Sequence, residues 1–301
     1  MNNPSVAING KHNNRKTVKG TVRIGFNVLT YAFLVLQIFL LVFPYYLQLV
    51  TSFTDMNFLG EYGKIYWWPQ NVTFTNLFEN YKQAIITADL LTGLKNTLIF
   101  TVVSTGVSLI FAYVMGYVFG KMRFRGRNIV FMAVLSSMMV PGEVLLVPLY
   151  LIIGDVMHLT DTMLAALIPG MINVFGIFLI KQFMNTIPDS ILEAANIDGA
   201  RELRKMFQIA LPMSMPIVAT YVIITFTAKW NEYLWPSIVL LSPKNFVLQQ
   251  SLISFYPQFN GGASDGFLRA AVLILISTPI IVMYCTCQRY YLQSMNLSGI
   301  K

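Results

Sequence analysis

Six separate stretches of this chain are apolar enough, and long enough, to cross a lipid bilayer, and that leaves few folds open. A spanning helix needs roughly 17–25 residues. The stretches run over about residues 25–52, 95–120, 128–153, 162–181, 207–229 and 268–289, and only the third carries a charge near its middle, Glu143. Hydrocarbon offers the backbone no hydrogen bonds, so each stretch must satisfy its own amides and carbonyls, which a helix does. Only 11% of the 301 residues are charged, against roughly 25% in soluble domains. The expected architecture is therefore all-α: a polytopic membrane protein with six transmembrane helices and no large soluble domain. No charged residue occurs from Ile24 to Thr54, a run far longer than the apolar core of a cleaved signal peptide. The first stretch is expected to stay in the membrane.

The net charge of +8 is not spread evenly. Lys11, Arg15, Lys16, Lys19 and Arg23 precede the first span, and Lys121, Arg123, Arg125 and Arg127 fill the loop after the second. Lys181, Arg201, Arg204 and Lys205 follow the fourth, with Arg289 and Lys301 after the sixth. These alternate segments hold 15 of the 21 basic residues. Such asymmetry is the positive-inside pattern, so both termini are expected in the cytoplasm. The basic excess then reads as topology, and no nucleic-acid partner is implied. Cys285 and Cys287 lie in the sixth span without metal-ligand spacing and read as packing. His12 and His158 read as solvated tail and turn residues, and no metal site is expected.

Residues 1–24 are read as a flexible cytoplasmic tail and 25–301 as one membrane domain. Tyr62, Tyr66, Trp67 and Trp68 follow the first span, as an interfacial aromatic belt or as a docking surface. The third span contains Pro141, Gly142 and Pro148, which should break its helix. Breaks are tolerated where they line water or pack on protein. Glu143 sits at the break, so it borders a solute path, bonds a neighbouring helix or lies near headgroups; a carboxylate at that depth needs one of them. SFYPQFNGG at 254–262 has the composition of a mobile turn.

The segment from Ile187 to Pro212, IPDSILEAANIDGARELRKMFQIALP, is charged yet joins two spans directly. It reads as two short helices. Ser190 and Glu193 have capping-box spacing, and Gly199 can end the first helix in a left-handed conformation. A rigid lever, an amphipathic helix on the membrane and a plain connector all fit these residues.

A resemblance separates them. Glu193-Ala194-Ala195, three residues, Gly199, nine residues, then Ile209-x-Leu211-Pro212 match E-A-A-x3-G-x9-I-x-L-P throughout. The chain resembles the permease subunits of binding-protein-dependent ABC importers. KMRFRGRN, MMVPGEVLLVPLY, WNEYLWP and the tail QRYYLQSMNLSGIK make it similar to the carbohydrate-uptake branch, which includes the small permease of the maltose transporter. The resemblance implies a type I ABC importer permease fold. It also implies a second homologous permease, two cytoplasmic ATPase subunits that bind ATP and Mg, an extracellular solute-binding protein and surrounding lipid in a bacterial cell membrane. Residues 188–206 would be the coupling helix region, with Glu193, Ala194, Ala195, Asp198, Gly199 and Lys301 approaching the ATPases. Phe255, Tyr256, Asn260 and Gly261 would face the binding protein. The solute would be a sugar, an oligosaccharide or a sugar derivative.

The chain lacks the G-x4-G-K-[ST] phosphate loop, so catalysis and nucleotide cofactors are assigned to the partners. The rival reading is an ion-coupled secondary carrier with Glu143 as its proton or ion site. In a Cys285- and Cys287-free background, a cysteine at His158 should react with an impermeant maleimide added outside intact cells, and one at Arg125 should not.

Overall fold

The computed structural model describes residues 9–55, 58, 65–73, 76–87, 89–255 and 263–298. Every regular element among them is helical. α1 (Asn9–Ser52) and α2 (Glu79–Thr87) lead into the long α3 (Leu90–Lys121). α4 (Arg127–Ser136), two 3-10 turns, α5 (Leu146–Tyr150) and a π-helical turn (Leu151–Val156) form the third crossing. α6 (Met163–Leu167) and α7 (Val174–Met184) form the fourth, and α8 (Asp189–Ile197) follows it. The fifth contains α9 (Glu202–Arg204), a π-helical turn (Lys205–Ala210), α10 (Leu211–Met213) and α11 (Met215–Trp230). α12 (Leu234–Val239), α13 (Leu248–Phe255) and α14 (Ala263–Ser298) complete the described chain.

Four crossings are single runs, Asn27–Ser52, Leu90–Lys121, Met163–Met184 and Gly266–Thr286. Two more are bent pairs: Arg127–Met139 with Gly142–Val156 at 88°, and Glu202–Met213 with Met215–Trp230 at 79°. The six crossings agree with the apolar pattern, and the first bend falls at Pro141 as expected from its missing amide. The helix of α1 reaches back to Asn9, where the sequence predicts a flexible tail. No proline lies between Pro4 and Pro44 to stop it, and an established helix propagates readily into flanking residues.

α3 is the element around which the others pack. Lipid supplies no hydrophobic drive between helices, so close backbone approach must supply the attraction. A Cβ on Gly116 would lie 2.7 Å from Cγ2 of Ile180, and one on Gly120 would lie 2.6 Å from Cβ of Met184. α7 is therefore seated against bare backbone of α3. Gly176 of α7 does the same for Tyr221 of α11, whose ring carbon would stand 2.3 Å from an added Cβ. The Tyr221 hydroxyl donates to Oγ of Ser108 at 3.0 Å, closing the contact back on α3. α1 is largely exposed along Val28–Val42, and its end is held by Tyr45 Oη and Ser277 Oγ, 3.1 Å apart. The ring of Trp67 lies 5.7 Å from that of Phe43 at that end.

The loop Lys121–Arg127 marks a basic end of the bundle; the opposite end is organised by Asp161. This residue has φ of +61°, a conformation in which aspartate is several-fold enriched. Its Oδ1 accepts from the amides of Leu241 and Ser242, each at 2.9 Å, and from Asn245 Nδ2 at 3.1 Å. Its Oδ2 accepts from Ser242 Oγ at 2.5 Å. Asn96 of α3 donates to the carbonyls of Lys244 and Phe246, so the segment after α12 is pinned from two sides. These donors, the Ser242 hydroxyl foremost, hold the Asp161 carboxyl well below the usual carboxylate range. A depressed pKa stabilises the fold above the unfolded pKa of about 3.9, and that stabilisation is lost as pH falls toward the lower folded value. Asp161→Asn should therefore lower stability at pH 7 by about 1 kcal/mol or more, since hydrogen bonds to charged groups exceed neutral ones. Thermal unfolding at pH 7 and pH 3 should show the gap from the parent protein narrowing at the acid value.

Candidate functional site

α8 stands at the basic end between the fourth and fifth crossings. Proline precedes it because its missing amide costs nothing before a first turn: Pro188 occupies the N-cap with φ −60° and ψ 132°, and no side chain caps the helix. The predicted capping box is therefore not formed. Ser190 lies inside the first turn, and Asp189 supplies the negative charge that a helix N-terminus favours. Glu193 is left without a capping role and is exposed.

The other end matches expectation. Gly199 has φ of +76°. Its amide donates to Asn196 O at 3.0 Å, and the amide of Ala200 donates to Ala195 O at 2.9 Å. This paired closure is the Schellman arrangement, which uses a left-handed residue just past the helix. The chain then turns back into α9. Glu193, Ala194, Asp198 and Gly199 lie together on the exposed surface with Ile197, which is 88% exposed, and Leu203, which is 67% exposed. Ala195 departs from the predicted set. It is buried beside Leu192 and seats α8 on the bundle, so it belongs to the inner face of the knob.

Two lysines that sequence reasoning counted only as topology charges hold this knob. Lys121, at the end of α3, donates to Ile187 O at 2.5 Å and to Asp189 Oδ1 at 2.6 Å. Its side chain is only 5% exposed. That hydrogen bond, followed by the nearby positive charges, lowers the pKa of Asp189. Lys205, from the π-helical turn, is equally buried; it donates to Asn196 Oδ1 at 2.6 Å and bonds Glu202. The second oxygen of Glu202 accepts from the Tyr117 hydroxyl of α3 at 3.2 Å. A polar cleft of ≈ 370 Å³ runs between α8 and the end of α3, bordered by Lys121, Arg123, Asp189, Glu193, Asn196 and Lys205. The available signal was Glu202 three residues ahead of Lys205, a helical ion-pair spacing. Asp189 opposite Lys121 had none, because 68 residues separate the pair.

Glu143 lies on a different element, the 3-10 turn at the bend of the third crossing, and is exposed. Tyr256, Asn260, Gly261 and Lys301 fall outside the described residues, and Phe255 is described only as the last backbone position of α13.

With this geometry in view, residues 108–296 match the family described as binding-protein-dependent transport system inner membrane component, and those residues contain the knob and both lysines. The chain belongs to that family. This permease is 28% identical over 264 residues to the arabinooligosaccharides transport system permease protein AraQ of Halalkalibacterium halodurans, covering 87% of this chain and 92% of that one. It is 30% identical over 281 residues to the lactose transport system permease protein LacG of Rhizobium radiobacter, covering 91% and 96%. The fold is also that of a chain in the crystal structure of a bacterial ABC transporter involved in the import of the acidic polysaccharide alginate. The TM-score is 0.77 at 23% identity, over 90% of this permease and 98% of that chain.

A side chain at residue 199 would meet no neighbour, so substitution there isolates the backbone. Gly199→Val should cost roughly 1–2 kcal/mol of local stability, the penalty of a left-handed L-residue. Faster amide exchange at Ala200 in the detergent-solubilised permease would register it.

Proposed function

We propose that this chain is the membrane permease of an ATP-driven importer for a sugar, an oligosaccharide or a sugar derivative. Relatives named for arabinooligosaccharide and lactose transport support the solute class. The observation that carries the mechanism is the knob: a rigid, exposed helix and left-handed corner bearing Glu193, Ala194, Asp198 and Gly199, rooted directly in two crossings. In this reading the basic end and both termini are cytoplasmic, and the knob seats on an ATPase subunit. Glu193, unpaired within the described residues, meets a basic group there, and the small Ala194 allows close approach. The Lys301 tail approaches the ATPases as well. ATP and Mg are held by those subunits, and this chain performs no catalysis.

A second, homologous permease completes the path. The bent third crossing supports that assignment, with Met139 at 83% exposure and Val147 at 68% on a face the chain itself leaves open. Glu143 borders the path between the two. At the far end, the segment around Phe255, Tyr256, Asn260 and Gly261 meets the solute-binding protein. Nucleotide and loaded binding protein each favour one of two arrangements, and their differential affinities shift the equilibrium.

Ala194→Phe should reduce solute uptake in whole cells tenfold or more while the protein still accumulates in the membrane. A crosslinking cysteine at Asp198 should capture the ATPase in the parent background. Undiminished uptake by Ala194→Phe, or uptake by the purified chain alone in a proton gradient, would remove the reading.

A further inference from the structure

The apolar seat of α8 is thin. Of its nine residues only Leu192 and Ala195 are buried, and a polar cleft runs along its inner side. Packing alone gives such a helix little hold, because each van der Waals contact contributes only a small attraction. Two nearly buried ammonium groups fill that role instead, one at each end of the helix. Lys121 grips the start through Ile187 O and Asp189. Lys205 grips the end through Asn196, and it is joined by Glu202 to the hydroxyl of Tyr117. Tyr117 and Lys121 are four residues apart on α3, hence on one face of it, one turn from each other. Both ends of α8 are therefore fastened to the last turn of the same helix. That helix is also the one against whose glycines α7 is seated.

We propose that Lys121 and Lys205 are positioning residues of the transport cycle: they join α8 and the basic end of α3 into one body. A displacement of α8 is then delivered to α3 and is not absorbed by the cleft. The inference rests on the reading of α8 as the element that meets the ATPase, and it adds the route by which the push enters the membrane. Each lysine suits the task because its ammonium has three donors and can hold a carboxylate and a second oxygen acceptor together. Methionine at either place would keep the apolar stem and remove every one of those bonds.

The test uses the transporter purified from its host membrane with the ATPase that accompanies it, and a nitroxide on a cysteine at Ile197. Lys205→Met and Lys121→Met should each lower the solute imported per ATP hydrolysed fivefold or more, and the nitroxide spectrum should become more mobile. Lys205→Arg should recover part of both. The reversed pair Lys121→Asp with Asp189→Lys should recover more coupling than either single change. If a methionine variant fails to accumulate, Asn196→Ala and Asp189→Ala remove the acceptors and should change both readouts in the same direction. An unchanged solute-to-ATP ratio with an unchanged spectrum in the variants that accumulate would overturn the proposal. Absence of any accompanying ATPase from the parent preparation would instead defeat the reading of α8, and the nitroxide measurement would still decide whether the lysines fix the helix.

Discussion

The contact on which the structure depends is the approach of α3 to α7 at glycine distance. In hydrocarbon, a leucine gains nothing by leaving lipid for a neighbouring helix, so attraction between helices comes from backbones that come close. Gly116 and Gly120 leave room on α3 for Ile180 and Met184, and Gly176 leaves room on α7 for Tyr221. Thr97, Thr101, Ser104, Thr105, Ser108 and Ala112 continue the same face of small or hydroxyl side chains along α3. Both ends of the bundle are also tied to this helix. Asn96 and Thr97 hold the segment after α12 at one end, and Tyr113, Tyr117 and Lys121 hold α8 and the entry of the fifth crossing at the other.

The crossings were legible in the sequence because hydropathy is a local sum: each apolar run declares itself without reference to any other. The break at Pro141 and the corner at Gly199 were legible for a related reason, since proline and glycine carry their backbone preferences with them. The start of α8 departs from its local sequence signal. Ser190 and Glu193 have the spacing of a capping box, but a proline two residues earlier claimed the cap, and the helix began before the serine. Ala195 had the right residue type for a docking surface, yet its place relative to Leu192 turned it inward.

The anchoring residues were invisible for a physical reason. Asp161 finds its donors about 80 residues further along the chain, and Lys121 finds Asp189 at a separation of 68. A lysine at the border of a span has an explanation in topology, which conceals any second role. Burial distinguishes the two: Arg123, two residues on, is 84% exposed on its side chain, while Lys121 is at 5%.

The junction of α3 with α8 also dictates an order of assembly. Tyr117 and its partner Glu202 are 85 residues apart. At the usual synthesis rates of about 5–20 residues per second, roughly 4–17 s pass between their emergence from the ribosome. Throughout that interval the Tyr117 phenol lacks its carboxylate partner, whereas Lys121 meets Ile187 and Asp189 sooner, at separations of 66 and 68 residues. The start of α8 can therefore be fastened before its end, whose fastening waits for the entry of the fifth crossing.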